Sequence, residues 1–408
     1  MKKALFIGLV WPEPQSSAAG WRMLQLIELF QRQYDVHFAS AAAKSDFSHD
    51  LQTMGVTEHT ILLNDSSFDD FVQELQPDIV VFDRFMIEEQ YGWRVAKCCP
   101  NAIRVLDTED LHFLRLARQE AFRKNQPLDL YHDTTFREIA AIYRSDLALI
   151  ISEKEMEILT ETFHVPSDLL YFLPFIEKAI TDDHIQQLPT YEQRKDFVFI
   201  GNFLHEPNWR TVEALKRTIW PALRRELPNA ALHIYGSYAS EKVNQLHAPQ
   251  DRFLIQGRAG HARKTLEQYR VLLAPIPVGA GIKGKFVDAM YSGTPSVSSS
   301  VGAEGMIKEG LWNGYVVDQG EEFVKQAKIL YTDRTIWEDA QQRGVKLFNT
   351  SFAQSLYADR LLQCCDDLQK ELPAHRVANF IGQMLRHHTV QSTRYMSLWI
   401  AEKNKRAH

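Results

Sequence analysis

The stretch P-V-G-A-G-I-K-G-K-F-V-D-A-M-Y-S-G-T-P-S-V, residues 277–297, sets three glycines and two lysines ahead of a short apolar-faced segment and a Gly-Thr-Pro stop. Immediately upstream, V-L-L-A-P-I is a continuous apolar run, the pattern of a strand buried on both faces. Downstream, Ser296 to Ser300 is short and small enough to be the next strand. Between them, Phe286, Val287, Ala289 and Met290 form one apolar helix face, and Gly293 with Pro295 ends the helix. The unit is strand, loop, helix, strand, with the glycines and lysines at the strand's C-terminal end. In open parallel sheets ligands bind at that edge.

The same unit recurs in both directions. Upstream of the quoted stretch the second half reads F-V-F-I-G from Phe197, a helix from Asn208 to Glu226, A-L-H-I-Y-G, F-L-I-Q-G and V-L-L-A-P-I. Three of these strands end in glycine, at Gly201, Gly236 and Gly257, where a ligand or a second backbone can come close. The first half alternates in the same way. Its expected strands are Ala4 to Val10, Val36 to Ser40, Thr60 to Leu63, Asp78 to Phe82, Ile103 to Leu106 and Leu147 to Ile151, with helices such as Trp21 to Gln31, Phe68 to Leu75 and Leu111 to Lys124. This alternation predicts an α/β fold of two Rossmann-like, doubly wound domains facing across a cleft. The expected divisions are 1–175 for a first domain, 176–195 for a polar linker, 196–370 for a second domain and 371–408 for C-terminal helices.

Composition narrows the class. The chain has 408 residues, a formal net charge of −6, and 45% hydrophobic and 24% charged residues. That length suits two domains of about 200 residues each, and the charge gives no footprint for a nucleic-acid partner. The four cysteines fall in two adjacent pairs, Cys98-Cys99 and Cys364-Cys365, without metal-binding spacing, as in a reduced cytoplasmic protein. The N-terminal M-K-K-A-L-F-I-G-L-V runs into Trp11-Pro12 with no small-residue cleavage site, so it reads as a first buried strand. No apolar run reaches the ~18 residues of a membrane span.

Free N–H groups at the start of the helix after Gly284, with Lys283 and Lys285, make an anion site that suits a diphosphate. Asp288, one turn on, is placed to accept from ribose hydroxyls or to complement the helix dipole. The loop matches neither a P-loop nor a dinucleotide fingerprint. In the first half, L-D-T-E-D-L-H-F-L-R (106–115) follows a strand, so Asp107, Glu109 and Asp110 sit at the sheet's C-terminal end with His112 and Arg115 on the following helix. One acid can cap that helix; three acids and a histidine exceed what a cap needs. S-S-A-A-G-W-R (16–22) puts small residues before a helix, and Arg22 there can meet a phosphate or pair with an acid.

The stretch G-I-K-G-K-F-V-D-A-M-Y-S-G-T-P-S-V followed by V-G-A-E-G-M resembles the donor-site segment of GT-B glycosyltransferases, specifically the family 4 group (glycosyl transferases group 1). F-I-G-N-F-L-H-E-P-N-W-R, L-P-N-A-A-L-H-I-Y-G, I-Q-G-R-A and, in the first half, I-I-S-E-K-E extend the resemblance in order over about residues 1–370, most closely over 197–306. It implies a hexose transfer from a nucleoside-diphosphate sugar, which is a substrate and not a cofactor, to an acceptor that the sequence does not name. The outcome implied is retaining, with no metal required. Carried over residue by residue, Gly201, Asn202, Arg258, Gly279, Gly281, Lys283, Lys285, Asp288 and Glu304 are donor-side positions. Members often carry Gly-Gly where this chain has Ala19-Gly20, and the resemblance puts Gly20 and Arg22 on the acceptor or phosphate side. Asp110, then Asp107 and His112, are the candidates for the catalytic position, as general base or as a stabiliser of charge developing on the sugar. The sequence departs from the family's E-x7-E element, with Ala280 at its first acid and Asp288 for its second Glu. A nucleotide-sugar epimerase and an inactive scaffold on the same fold are the alternatives. From Arg376 onward six Lys or Arg accompany one acid, Glu402, and Val377, Phe380, Ile381, Met384 and Leu385 recur at helical spacing. That pattern fits a helix packing back on the first domain, and also a peripheral contact with anionic lipid at the inner membrane face.

Overall fold

The computed structural model describes residues 2–387, together with Tyr395 and Trp399. A seven-stranded parallel sheet is formed by β1 (Lys2–Gly8), β2 (Tyr34–Ser40), β3 (Thr57–Thr60), β4 (Ile79–Asp83), β5 (Ile103–Asp107), β6 (Leu147–Ile150) and β7 (Leu170–Phe172), in the order β3-β2-β1-β4-β5-β6-β7. A second, six-stranded parallel sheet holds β8 (Lys195–Asn202), β9 (Leu232–Ser237), β10 (Phe253–Gly257), β11 (Tyr269–Ala274), β12 (Ser296–Ser298) and β13 (Gly314–Val316), in the order β10-β9-β8-β11-β12-β13. Each sheet reverses its winding once, between β1 and β4 and between β8 and β11, which is where a doubly wound sheet opens a crevice.

The helices that build the site are α1 (Ala18–Phe30), α2 (His112–Lys124), α3 (Asp133–Arg144), α4 (Glu206–Ala214), α5 (Ala262–Leu266) and α6 (Gly284–Tyr291). After α7 (Arg334–Ser351) the chain returns as α8 (Ala358–Ala378) and α9 (Phe380–Arg386). The central strands are apolar on both faces because helices cover both; β5, for instance, is buried at every position.

Several expectations move. Strand β3 pairs with β2 from His37↔Thr57 to Ser40↔Thr60, three residues earlier than the apolar T-I-L-L suggested. It is an edge strand, and Leu62 and Leu63 beyond it are exposed. Residues 176–195 are not a loose polar linker: they include a helix at Asp182–Gln187, bury Ile180 and Leu188, and seat Arg194 on Thr294 Oγ1 and the Ser292 carbonyl. The return to the first domain begins before residue 371, since Ala358, Leu361, Leu362, Cys365 and Leu372 of α8 already lie in the first domain's core. The two crossings between domains pair with each other: Glu177 N–H donates to the Phe352 carbonyl and Gln354 N–H to the Glu177 carbonyl, both at 2.7 Å.

Helix α9 packs on the first domain, as one reading of the tail expected, but polar groups rather than its apolar stripe anchor it. Asn379 Nδ2 donates to the Tyr143 carbonyl at 2.8 Å and Gly382 lies against the same carbonyl. Arg376 engages both Asp146 oxygens and the carbonyls of Pro100 and Ala102. Leu385 packs inward, while Val377, Phe380, Ile381 and Met384 stay exposed. The rest of the basic stretch lies outside the described residues. Among those residues no helix is long and apolar enough to cross a membrane.

Candidate functional site

The C-terminal ends of the two sheets enclose a cleft with two connected chambers. The larger, about 520 Å³, is walled by Ile200, Gly201, Gly236, Ser237, Ala259, Arg263 and Asp288 from the second domain and by Pro14 to Ala18, Trp21 and His49 from the first. The smaller, about 230 Å³, is bounded by Glu109, Asp110, Arg115, Asn202, His205, Asn208 and the loop from Gly279 to Lys285. Ser16, Ser17, Ala18, Phe175, Gly284 and Lys285 line both and mark their junction.

At that junction two helix N-termini meet. A Cβ on Gly284, the first residue of α6, would lie 2.6 Å from the Cβ of Ala18, the first residue of α1. One helix from each domain therefore brings free N–H groups and the positive end of its dipole to the same place. Lys285 Nζ donates to Asn208 Oδ1 at 2.5 Å and rides 4.3 Å from the centre of the Phe199 ring. Lys283 Nζ donates to the Gly281 carbonyl at 2.9 Å. Burial disfavours both charges: it lowers Lys285 to about 7, helped by the neighbouring Lys283, and lowers Lys283 to about 8 against the pull of Glu304 and Glu155. Asn208 itself is held by donating to the Asn202 carbonyl at 2.7 Å, and its side chain occupies the space where a Cβ on Gly201 would stand. That close approach is why the next-to-last residue of β8 is glycine.

Asp288 lines the larger chamber and accepts from Arg263 Nε at 2.8 Å. Arg263 lies against the rings of Tyr291 and Trp21 and donates to Glu177 Oε1 at 2.7 Å. Trp21 Nε1 and Gln25 Nε2 converge on that same oxygen, at 2.7 and 2.9 Å. The chain crossing between domains is thus tied through one carboxylate to both α1 and the donor-side acid.

In the smaller chamber Asp110 accepts from Arg115 Nη1 at 2.6 Å and stands 3.4 Å from His112 Nε2. Burial, the largest single effect, raises its pKa, but Arg115, His112 and Arg84 together outweigh it and the net shift is downward. His112 lies edge-on to Phe85 and is lowered to about 3, chiefly by burial. Beside them Arg84 and Glu109 both adopt positive φ and pair at 2.7 Å. Arg84 serves Asp83 as well, and burial with the nearby Asp83 and Asp107 carboxylates raises the Glu109 pKa. Gly281, at φ +61°, passes so close to Asp110 that a Cβ there would be 2.8 Å from the Asp110 Cβ. Only glycine takes that backbone in that space.

Five candidates are occupied elsewhere. Arg22 and Asp107 are buried against each other: Nε and Nη2 donate to the carboxylate at 2.9–3.2 Å while Nη1 donates to the carbonyls of Leu173 and Pro174. The pair fastens α1 to β5, and Arg22, although it borders the smaller chamber, has its guanidinium committed to Asp107 and the two carbonyls. Gly20 is buried against the backbone of Glu13, not open to the cleft. Glu304 is gripped in a two-pronged pair by Arg118 of α2, at 2.6 and 2.9 Å, and Arg118 also donates to the Gly279 carbonyl. Arg258 lines neither chamber. It lies 3.4 Å from the centre of the Phe47 ring, donates to Ser16 Oγ at 2.7 Å and neighbours Tyr238, whose hydroxyl donates to Glu13. These arginine contacts join the two domains across the cleft. Sequence reasoning missed Arg118, Arg263, Glu177 and His205, whose partners are distant in the chain.

Residues 194–333 match the family model described as glycosyl transferases group 1. A search of curated proteins returned no match. Among solved structures, Anabaena HepE in complex with UDP and glucose is 13% identical, covers 89% of this chain and 99% of its own, and superposes with a TM-score of 0.67. The pneumococcal O-GlcNAc transferase GtfA in complex with UDP and GlcNAc is 12% identical over 90% of this chain and 99% of its own, with a TM-score of 0.68. Sucrose-phosphate synthase from Thermosynechococcus elongatus is similar at 13% identity, 90% and 99% coverage and a TM-score of 0.68. Residues 194–333 thus carry a glycosyl transferases group 1 domain, and the chain as a whole has the two-sheet GT-B fold of these structures.

Proposed function

We propose that the chain transfers a hexose from a UDP-sugar to a hydroxyl acceptor with retention of configuration. The observation that carries this reading is the meeting of two helix N-termini, Lys283 and Lys285 at the junction of two chambers. A diphosphate there has its nucleoside in the larger chamber, within reach of Asp288, and its sugar in the smaller one beside Asp110. UDP is the nucleotide of choice because two of the structural relatives were crystallised with it.

In the reaction the bond between the anomeric carbon and the β-phosphate oxygen breaks as the acceptor oxygen bonds to that carbon. The departing phosphate oxygen takes the acceptor's proton. Asp110, kept ionised by Arg115, stabilises positive charge on the sugar instead of accepting the proton itself. The lysines and helix ends take up the charge of the leaving UDP. The four free cysteines support a cytoplasmic setting for the reaction.

A thermal-shift panel of UDP, GDP, ADP and their sugars tests the donor. UDP at 100 times its dissociation constant should add about 2.7 kcal/mol of stability, and Lys285→Met should abolish most of the shift. Absence of any nucleotide shift would sink the reading. Asp110→Asn should then cost about 10²-fold or more in kcat at nearly unchanged donor affinity; undiminished turnover would remove Asp110 from the chemistry.

A further inference from the structure

The stretch I-I-S-E-K-E, residues 150–155, has the S-x-x-E spacing of a capping box, in which the glutamate turns back to the N–H of its own cap residue. Half of that motif forms. Ser152 Oγ accepts from the Glu155 N–H at 3.2 Å, at the start of a helix over Glu153–Glu157. The carboxylate leaves its own helix: Oε1 accepts from the Leu111 N–H at 2.9 Å, 44 residues away.

Leu111 is the cap residue of α2 and has no side-chain oxygen to offer. The N–H groups at the start of that helix are met from outside instead. Glu155 takes Leu111, and the two oxygens of Glu138, on α3, take His112 and Phe113 at 3.1 and 2.9 Å. Both glutamates are 1% exposed. Buried N–H groups without acceptors are costly, so these two carboxylates fix where α2 begins.

Asp110 is the residue before Leu111, and the second domain's loop presses on the same place. A Cβ on Gly281 would lie 2.8 Å from the Asp110 Cβ and 3.4 Å from Ile151 Cγ2, and Ala280 packs on the first domain's core. A Cβ on Gly305, next to Glu304, would lie 3.0 Å from the Ser152 Cβ. Glu155 borders this meeting. Burial, with Asp110 beside it, pushes its carboxyl up to about 7 against the pull of the Leu111 N–H, Lys283 and the Gly281 N–H. With no slack on the loop side, the position of Asp110 depends on the bond that anchors its neighbour.

We propose that Glu155 is a positioning residue for the transfer: by holding the Leu111 N–H it sets where the Asp110 carboxylate stands in the smaller chamber. The role rests on the transferase reading, whereas the seat of Asp110 is measurable without substrate. Two substitutions separate contact from charge. Glu155→Gln keeps an oxygen for the Leu111 N–H and removes the charge; Glu155→Asp keeps the charge one methylene short. Amide hydrogen exchange on the full ligand-free chain reads the seat, and hydrolysis of UDP-glucose and UDP-N-acetylglucosamine at about pH 6, below the titration of both lysines, reads the chemistry. Glu155→Asp should speed exchange over residues 108–114 by about tenfold or more. It should lower kcat for hydrolysis by about tenfold or more at nearly constant donor KM, while Glu155→Gln stays within about threefold of the unaltered chain on both readouts. Unchanged exchange in Glu155→Asp overturns the proposal. A kcat that falls equally in both variants overturns it too, because the charge and not the seat would then matter. A seat that loosens as expected in a chain whose stability shifts with no nucleotide refutes the donor reading and not the seat.

Discussion

Raising the pH from 6 to 8 should weaken binding of a nucleoside-diphosphate sugar about twentyfold, because the two lysines that meet the diphosphate lose charge in the empty cleft over that range. In the empty cleft Lys285 titrates at about 7 and Lys283 at about 8. Both are needed charged in the complex, where the dianion restores their pKa values. Taking the two as independent, the fraction of empty protein with both charged falls from about 0.9 at pH 6 to about 0.045 at pH 8, a loss of about 1.8 kcal/mol. The sign follows from linkage: the complex holds more protons than its separated parts, so affinity declines as pH rises. Stability of the ligand-free protein moves oppositely. Lysines lowered by folding bind fewer protons than in the unfolded chain, so stability rises with pH above about 7.

The assay is isothermal titration calorimetry with UDP-glucose, whose diphosphate has no group titrating near neutrality. Measured in buffers of different ionisation enthalpy at pH 7.5, binding should take up about one proton. Lys285→Met should leave about a twofold dependence, from Lys283 alone. Affinity that is flat within about twofold from pH 6 to 8 in the unaltered protein, with no proton uptake, would refute the burial argument for these lysines.

Removing one partner of the buried Arg22–Asp107 pair should cost more than altering any surface charge. Asp107→Ala should lower the unfolding free energy by about 3–5 kcal/mol in urea denaturation. Gly281→Ala places a side chain at φ +61° and against Asp110, so donor affinity should fall at least tenfold and calorimetry should show a lower melting temperature. Glu177→Gln weakens the hold on Arg263 and so loosens the positioning of Asp288; initial-rate kinetics should show the donor KM rising several-fold with kcat nearly constant. Arg118→Ala releases Glu304 and the Gly279 carbonyl across the cleft, and small-angle scattering should show a larger radius of gyration.

The fold was legible because its signals are local. An apolar run ending in glycine, followed by a helix with one apolar face, identifies a buried parallel strand and its ligand edge without long-range information. That is why Gly279 to Asp288 fell where the cleft is. The errors fall where pairing across the chain decides. Arg22 finds Asp107 85 residues away, and Arg118 finds Glu304 at a separation of 186. No spacing rule joins such residues, so a buried structural ion pair and a catalytic acid look alike in sequence. The apolar spacing of Val377, Phe380, Ile381 and Met384 misled in the opposite direction, since Asn379, Gly382 and Arg376 hold that helix through polar contacts.

The departure at Ala280 also reads differently once the chambers are described. The sugar-sized chamber has its carboxylates, Glu109 and Asp110, on the first domain, while the second domain supplies Lys283, Lys285, Asn202, Asn208 and His205. An acid on the 279–285 loop would stand beside Gly281, where Asp110 already closes the space. A donor held by the second domain alone would therefore be gripped at its nucleoside and diphosphate, with no carboxylate for the sugar hydroxyls. Those carboxylates stand on the first domain, which the contacts of Arg118 to Glu304, Tyr238 to Glu13 and Arg258 to Ser16 join to the second. On the proposed reading, the carboxylates that would meet the sugar follow β5, outside the segment that the family model matches.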